Sequence, residues 1–146
     1  MSPEETAKAC AEHLWQSDAT SQGLGITLDH VGPGTASLTM AVTPEMLNAQ
    51  GTAHGGYLFT LADSAFAYAC QSRNEASVAH HCAVTFIVPG ALGDRLTATA
   101  REVSRHGRSS IFDVQICRQG GAVIAEFRGH SRSLGRSVLT GTAGSG

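Results

Sequence analysis

Asp63 is the only residue with a full charge between His54 and Arg73, and it stands among Leu58, Phe59, Leu61, Ala62, Ala65 and Phe66. A carboxylate in so apolar a run is costly to bury unless it is paired or used. Upstream, Gly55-Gly56 follows His54 where the run begins. Glycines at a helix N-terminus expose N–H groups that lack intrahelical partners, with the helix dipole behind them. They can hold a developing negative oxygen, and glycine lets a carbonyl approach closely. An acid and an oxyanion cradle are together the parts that attack a carbonyl. Asn48, in the loop entering the run, adds an amide able to fix the acid or orient a water.

One helix cannot bring both groups to one carbonyl. Asp63 lies eight residues after Gly55, roughly 12 Å along a helix that rises about 1.5 Å per residue. A reacting carbonyl has to sit within about 3 Å of its oxyanion donors and of its attacking group. Two such helices packed antiparallel across a two-fold axis put each Asp63 beside the other's Gly55, giving two identical sites. The plainer alternatives are that the glycines only permit close packing and that Asp63 caps a helix or pairs with an Arg. Asn48 tips the reading toward chemistry.

The elements that would hold these groups follow from periodicity and turn residues. From Pro3 to about Thr20 the pattern is an amphipathic helix with Ala7, Ala11, Leu14 and Trp15 on one side, so residues 1–20 make an N-terminal element. Gly23-Leu24-Gly25 ends it. Ile26–Val31 and Thr35–Thr43 read as strands around Gly32-Pro33-Gly34, with Leu38, Met40 and Val42 on one face. Thr43-Pro44-Glu45 predicts a short capped turn. The apolar helix then runs from His54 to near Arg73-Asn74. Four more strands follow, at about Ser77–Val88, Leu96–Ser104, Ser109–Arg118 and Ala122–Ser133. Phe112, Val114 and Ile116 alternate with polar neighbours, and Val123, Ala125 and Phe127 alternate with Ile124, Glu126 and Arg128. The small, polar stretch over about 140–146 is expected to be a flexible tail. No linker divides the chain, which reads as a single domain over 1–146. Strands, one long apolar helix and further strands on short turns predict an α+β fold, an antiparallel sheet wrapped around one helix. A helix apolar nearly all round needs more cover than one sheet gives, most simply a second copy of the chain.

Composition removes several classes. The 146 residues carry a formal net charge of -2, which gives no reason to expect nucleic acid as a partner. All but one of the ten basic residues are Arg, and most lie in the C-terminal half, where they can form a local patch. No apolar stretch is long enough for a membrane span. The acidic opening Met1-Ser2-Pro3-Glu4-Glu5 is unlike a secretory signal, so a cytoplasmic location is expected. Cys10, Cys70, Cys82 and Cys117 form no Cys-x-x-Cys pair and read as buried thiols rather than disulfides or zinc ligands. The seven histidines show no ligand spacing with a carboxylate, so no catalytic metal is expected. No Gly-x-Ser-x-Gly elbow is present, which argues against a Ser-His-Asp hydrolase. Ser64 points about 100° away from Asp63 around the helix and reads as a filler.

Leu47-Asn48, His54-Gly55-Gly56 and Leu61-Ala62-Asp63-Ser64-Ala65-Phe66-Ala67-Tyr68-Ala69 form an ordered set. With Pro89-Gly90, Gly93-Asp94-Arg95-Leu96 and Phe127-Arg128-Gly129, this set resembles the hotdog-fold acyl-CoA thioesterases, most closely their phenylacetate-degradation (PaaI-type) branch. The resemblance implies a curved antiparallel sheet wrapped around one long central helix. It further implies hydrolysis of phenylacetyl-CoA or a related aryl-acyl-CoA, hydroxylated ones included. No separate cofactor is implied, because coenzyme A is part of the substrate. Asp63 would be nucleophile or general base. Gly55, with the His54 or Gly56 backbone, would polarise the carbonyl, and Asn48 would orient Asp63, water or substrate. The resemblance also implies a homodimer essential to the site and a homotetramer, a dimer of dimers.

In that reading the acyl group enters around Tyr57, Leu58, Phe59 and Phe66, and Pro89-Gly90 walls the pantetheine arm. The hairpin Arg105-His106-Gly107-Arg108-Ser109-Ser110 meets the phosphates, through Arg108 and Ser109 above all. Two departures stand out. Where the family often has a small hydroxyl residue after the helix, this chain has Val78-Ala79-His80-His81-Cys82, and His80 or His81 is the candidate replacement. Neighbouring strand residues point to opposite faces, so only one of the two can face the site. Where relatives often have Arg before Pro89, this chain has Val88. The rivals are an enoyl-CoA hydratase or dehydratase on the same fold, which needs an Asp–His pair, and a non-catalytic acyl-CoA-binding module, which has no use for a buried acid.

Overall fold

A computed structural model describes residues 1–143, and its first helix is fixed by its cap. The Ser2 hydroxyl accepts from the Glu5 N–H and the Glu5 carboxylate accepts from the Ser2 N–H, a capping box that starts α1 at Pro3. α1 spans Pro3–Trp15 and ends earlier than periodicity predicts. The reason is Asp18, whose carboxylate accepts from the Ser21 N–H and caps a separate short helix, α2, Ala19–Gly23.

Six strands follow: β1 Thr27–Gly32, β2 Thr35–Ala41, β3 Ser77–Phe86, β4 Arg95–His106, β5 Ser109–Arg118 and β6 Val123–Ser133. A 3-10 turn over Pro44–Met46 and the helix α3, Gly55–Cys70, lie between β2 and β3. All pairings are antiparallel, in the order β1-β2-β4-β5-β6-β3. β2 therefore pairs with β4, while α3 crosses the sheet and delivers β3 to the far edge. The β1–β2 turn is tied to the end of α3, because the Gly34 N–H donates to the buried Ser72 hydroxyl at 2.8 Å.

Leu61, Ala62, Ala65 and Phe66 of α3 are sealed against Leu38, Met40, Leu96, Val114, Ile116 and Phe127 from the sheet. This is the hotdog arrangement, an α+β fold in which a curved antiparallel sheet wraps one helix. Alternation holds along β2 and β5 but not in β6, where Ile124 and Ala125 are both fully buried. The register shifts there, Ile116 facing Ala125 and Cys117 facing Val123, so the bulge turns Ile124 inward as well. Part of the extra cover that α3 requires comes from its own chain, since Ala11, Leu14 and Trp15 pack against the same core. Thr60, Asp63, Ser64 and Ala67 of α3 stay half-buried, as do Tyr57, Phe59 and Cys70, and Gly56 is exposed near the helix start.

The expected flexible tail falls partly on residues 144–146, which lie outside the described residues. As far as Ala143 the chain is held: Asn74 accepts from the Ser137 hydroxyl and the Leu139 N–H, and Ser137 donates to the Thr142 carbonyl. No described helix is long and apolar enough to cross a membrane.

Gly129 of β6 lies beneath the Phe66 ring, where an added Cβ would come within 2.7 Å of it. Gly129→Ala should therefore cost about 1–3 kcal/mol of stability by overpacking. Urea melts check it, and the double variant Gly129→Ala/Phe66→Leu should recover part of the loss. A Gly129→Ala melt identical to wild type contradicts the packing described.

Candidate active site

His54 caps α3 with its side chain. Its Nδ1 accepts from the Gly56 N–H at 2.9 Å, and its carbonyl takes the Tyr57 N–H. The Gly56 N–H, expected to face substrate, is taken up by this cap in the structure. The Gly55 N–H meets no acceptor among the described residues. It opens into a cleft of about 310 Å³ lined by Asn48, Thr52, Ala53, Gly55, Leu58 and the segment Phe86–Pro89. A Cβ at Gly55 would come within 2.8 Å of the tip of the exposed Phe86 ring, which would have to swing aside.

The Asn48 side-chain oxygen accepts from the N–H groups of Gln50 and Thr52, and its amide nitrogen donates to the Thr52 hydroxyl. Asn48 thus builds the loop that leads into α3 and also borders the cleft. Pro89 lines the cleft, whereas Gly90 is buried behind it and its carbonyl takes the Ala53 N–H at 2.8 Å. Gly90 spaces the loop rather than offering a surface.

Asp63 lines a different cleft, of about 240 Å³, with Leu14, Asp18, Ser64, Ala67, Tyr68 and Gln71. Burial raises its carboxyl above the ordinary 3.8, and no other group offsets that cost among the described residues. Its charge reaches two thiols. Burial first, and then Asp63, push Cys70 up to about 12, and the same two causes raise Cys82. Both therefore stay protonated at neutral pH and are poor nucleophiles. A larger cleft of about 660 Å³ between α1 and β1 holds neither Asp63 nor Gly55.

Other expected residues lie elsewhere. Phe66 is sealed in the core between Phe112 and Phe127, so it offers no surface to an acyl group. Phe59 is half-buried with its ring on edge to Phe127. A bulge between Ala79 and His81 breaks the alternation of β3, and the rings of His80 and His81 both stand edge-on to His130. Neither histidine lines either cleft. Arg108 and Ser109 sit at the β4–β5 turn, with the Arg108 guanidinium close to Gly135. That turn neighbours the Ser77 end of β3 and the Gly55 cleft neighbours its Phe86 end, roughly 30 Å away at about 3.3 Å per residue. Residues the sequence did not reveal are Phe86 and Ile87 over Gly55, and Leu14, Asp18, Tyr68 and Gln71 around Asp63. All are brought in by tertiary contacts that leave no local motif.

A glycine at a helix N-terminus and a half-buried acid two turns along the same helix line different clefts within this sheet topology, and that arrangement points to a class. Residues 50–125 match the family model of the thioesterase superfamily. The chain belongs to that superfamily and is a thioester hydrolase of the hotdog fold. Over 133 residues it is 42% identical to the acyl-coenzyme A thioesterase PaaI of Escherichia coli K12, covering 91% of this chain and 94% of that one. The solved structure of the Escherichia coli PaaI protein, from the phenylacetic acid degradation operon, superposes with a TM-score of 0.91 at 40% identity, over 93% of this chain and 99% of that chain. A Streptococcus mutans protein solved with acetyl-CoA bound superposes with a TM-score of 0.74 at 26% identity, over 77% and 90% of the two chains.

The raised Asp63 carboxyl fixes the sign of a stability effect. Below its unfolded value the native and unfolded chains are both protonated and no cost arises. As pH rises through the raised native value the fold loses stability, and above it the cost is complete. Asp63→Asn should therefore melt higher than wild type at neutral pH, by about 2–4 °C for each kcal/mol relieved. The difference should shrink in acid. Calorimetry at several pH values reads it, and a lower melting temperature for the variant at neutral pH contradicts it.

Proposed function

We propose that this chain hydrolyses phenylacetyl-CoA or a related aryl-acyl-CoA, ring-hydroxylated ones included, to the free acid and coenzyme A. The reaction centre pairs Asp63 of one subunit with the Gly55 N–H of the other in a homodimer. The observation that carries this reading is the separation of the two clefts: Gly55 and Asn48 border one, Asp63 borders another, and no described cleft holds both. Each chain thus presents two halves of a site facing different ways.

Two features favour the second copy. Thr60, Ser64 and Ala67 beside Asp63 are small and half-buried, which lets another α3 approach on that side. β3 is an edge strand bonded only to β6, and Val78, Phe86, Ile87 and Val88 nearby are 40–51% exposed. An apolar unpaired edge of this kind invites another strand. An antiparallel two-fold along β3 would also carry the Arg108 turn of one subunit toward the Gly55 cleft of the other, where the coenzyme A phosphates need a cation. The acetyl-CoA bound by the Streptococcus mutans protein supports this class of substrate on this fold. A dimer of dimers, which the family resemblance implies, and a cytoplasmic location, expected from the acidic opening of the sequence, extend the proposal.

The thioester oxygen would accept from the Gly55 N–H while Asp63 either attacks the carbonyl carbon or takes a proton from the water that does. Burial makes Asp63 a stronger base than a solvated carboxylate, which suits the second route. In the water route the tetrahedral adduct expels the coenzyme A thiolate, which takes up the proton held by Asp63, and the acid is left. In the direct route loss of the thiolate leaves an Asp63 acyl anhydride, which a water then cleaves to the acid and the free Asp63 carboxylate. The hydratase alternative is not favoured, because His54 Nδ1 is committed to the Gly56 N–H.

Asp63→Asn should lower kcat for phenylacetyl-CoA by at least about a hundredfold while coenzyme A binding survives. A mixture of Asp63→Asn and Gly55→Val chains then tests the two-subunit site. Mixed dimers hold one intact centre, so random exchange should restore about a quarter of wild-type activity. No recovery, with exchange shown by mass spectrometry, means that both groups act within one chain.

A further inference from the structure

The cleft at Asp63 has a wall that the sheet and central helix do not supply. Leu14 from the end of α1 and Asp18 from the turn before α2 face Asp63, Ala67, Tyr68 and Gln71 across it. This turn is fastened. The Tyr68 hydroxyl donates to one Asp18 oxygen at 2.8 Å, and the other oxygen takes the Ser21 N–H at 3.0 Å. The Trp15 ring leans on the Tyr68 ring with centroids 6.4 Å apart. Burial, then the hydrogen bond and charge of Asp18, hold the Tyr68 phenol above its ordinary value, so the donor stays protonated.

This inference rests on the thioesterase reading. A thioester carbonyl at Asp63 has two substituents pointing apart, sulfur with its pantetheine arm and the acyl group. The larger Gly55 cleft, ending at Pro89 on the outside of the sheet, suits the arm. The Asp63 cleft is small, about 240 Å³, below the range of roughly 300–1,000 Å³ common for ligand pockets. Leu14, Ala67 and Tyr68 supply the apolar part of a mixed lining that also includes Asp18, Ser64 and Gln71. A compact acyl group fits there and a long chain meets the turn.

We propose that the α1–α2 turn, fastened to α3 by Asp18 and Tyr68, is the acyl-end wall of the reaction site, and that Leu14 and Tyr68 set how bulky an acyl group is accepted. Leu14 lines the space directly, whereas Asp18 is a positioning residue acting through Tyr68.

The experiment compares kcat/KM for acetyl-CoA, phenylacetyl-CoA and decanoyl-CoA in wild type and variants, each checked by thermal melt. Leu14→Trp should fill the cleft and lower the phenylacetyl-to-acetyl ratio roughly tenfold. Tyr68→Phe, which frees the turn but keeps the ring, should raise the decanoyl-to-phenylacetyl ratio several-fold. Leu14→Ala changes volume in the opposite direction and should do the same, so the test survives if the Trp variant does not fold. A merely structural role would depress all three substrates by one factor. That result, or unchanged ratios, overturns the wall with the thioesterase reading intact. A wild-type protein inert on all three thioesters overturns both.

Discussion

A carboxylate taken out of water without a cation is the constraint on which this structure turns. Asp63 sits on the central helix, next to the sealed core layer of Leu61, Ala62, Ala65 and Phe66, and burial alone governs its shift. The core could close over an apolar residue at this position more easily. Asp63 stays half-buried with Thr60, Ser64 and Ala67, and Phe59 one turn earlier is half-buried too. The acid's charge also helps keep Cys70 and Cys82 as thiols.

Much of the architecture was legible because its signals are local. The strands begin and end within a few residues of where alternation and turn residues put them, and Gly55–Cys70 falls inside the apolar run. The departures share a cause: a side chain or register that periodicity does not encode. Asp18 turns its carboxylate onto the Ser21 N–H and splits what patterns as one helix into two. The bulge in β6 buries Ile124 together with Ala125, although strict alternation would put them on opposite faces. The bulge at His80 likewise brings both neighbouring histidines to His130 and away from the clefts.

The site divides along the same line. Asn48, Gly55 and Asp63 stand out in the sequence by residue type and position: an amide that ties a loop, a helix-start glycine, a lone acid. What surrounds them was not legible. Phe86 covers Gly55 from the far edge of the sheet, and Leu14 and Tyr68 meet only because α1 lies along the core. Phe66 was expected at the acyl group because an apolar helix does not announce which of its faces is sealed. Gly56 was expected as a donor, but the imidazole one turn-start earlier takes its N–H.

The distance between Gly55 and Asp63 along α3 is what calls for a second subunit in the proposed site. An oxyanion donor is available only in the first turn of a helix, where N–H groups lack partners. An acid in that same turn would be stabilised as an anion by the dipole and would be a weaker base. Placing Asp63 two turns on removes it from that field and lets burial raise its basicity instead. The same displacement takes it out of reach of its own Gly55. The two-fold axis of the proposed dimer would resolve the conflict without further residues, by returning one helix's acid to another helix's first turn. In that proposal the basicity of Asp63 and the call for a partner have one origin, the position of Asp63 along α3.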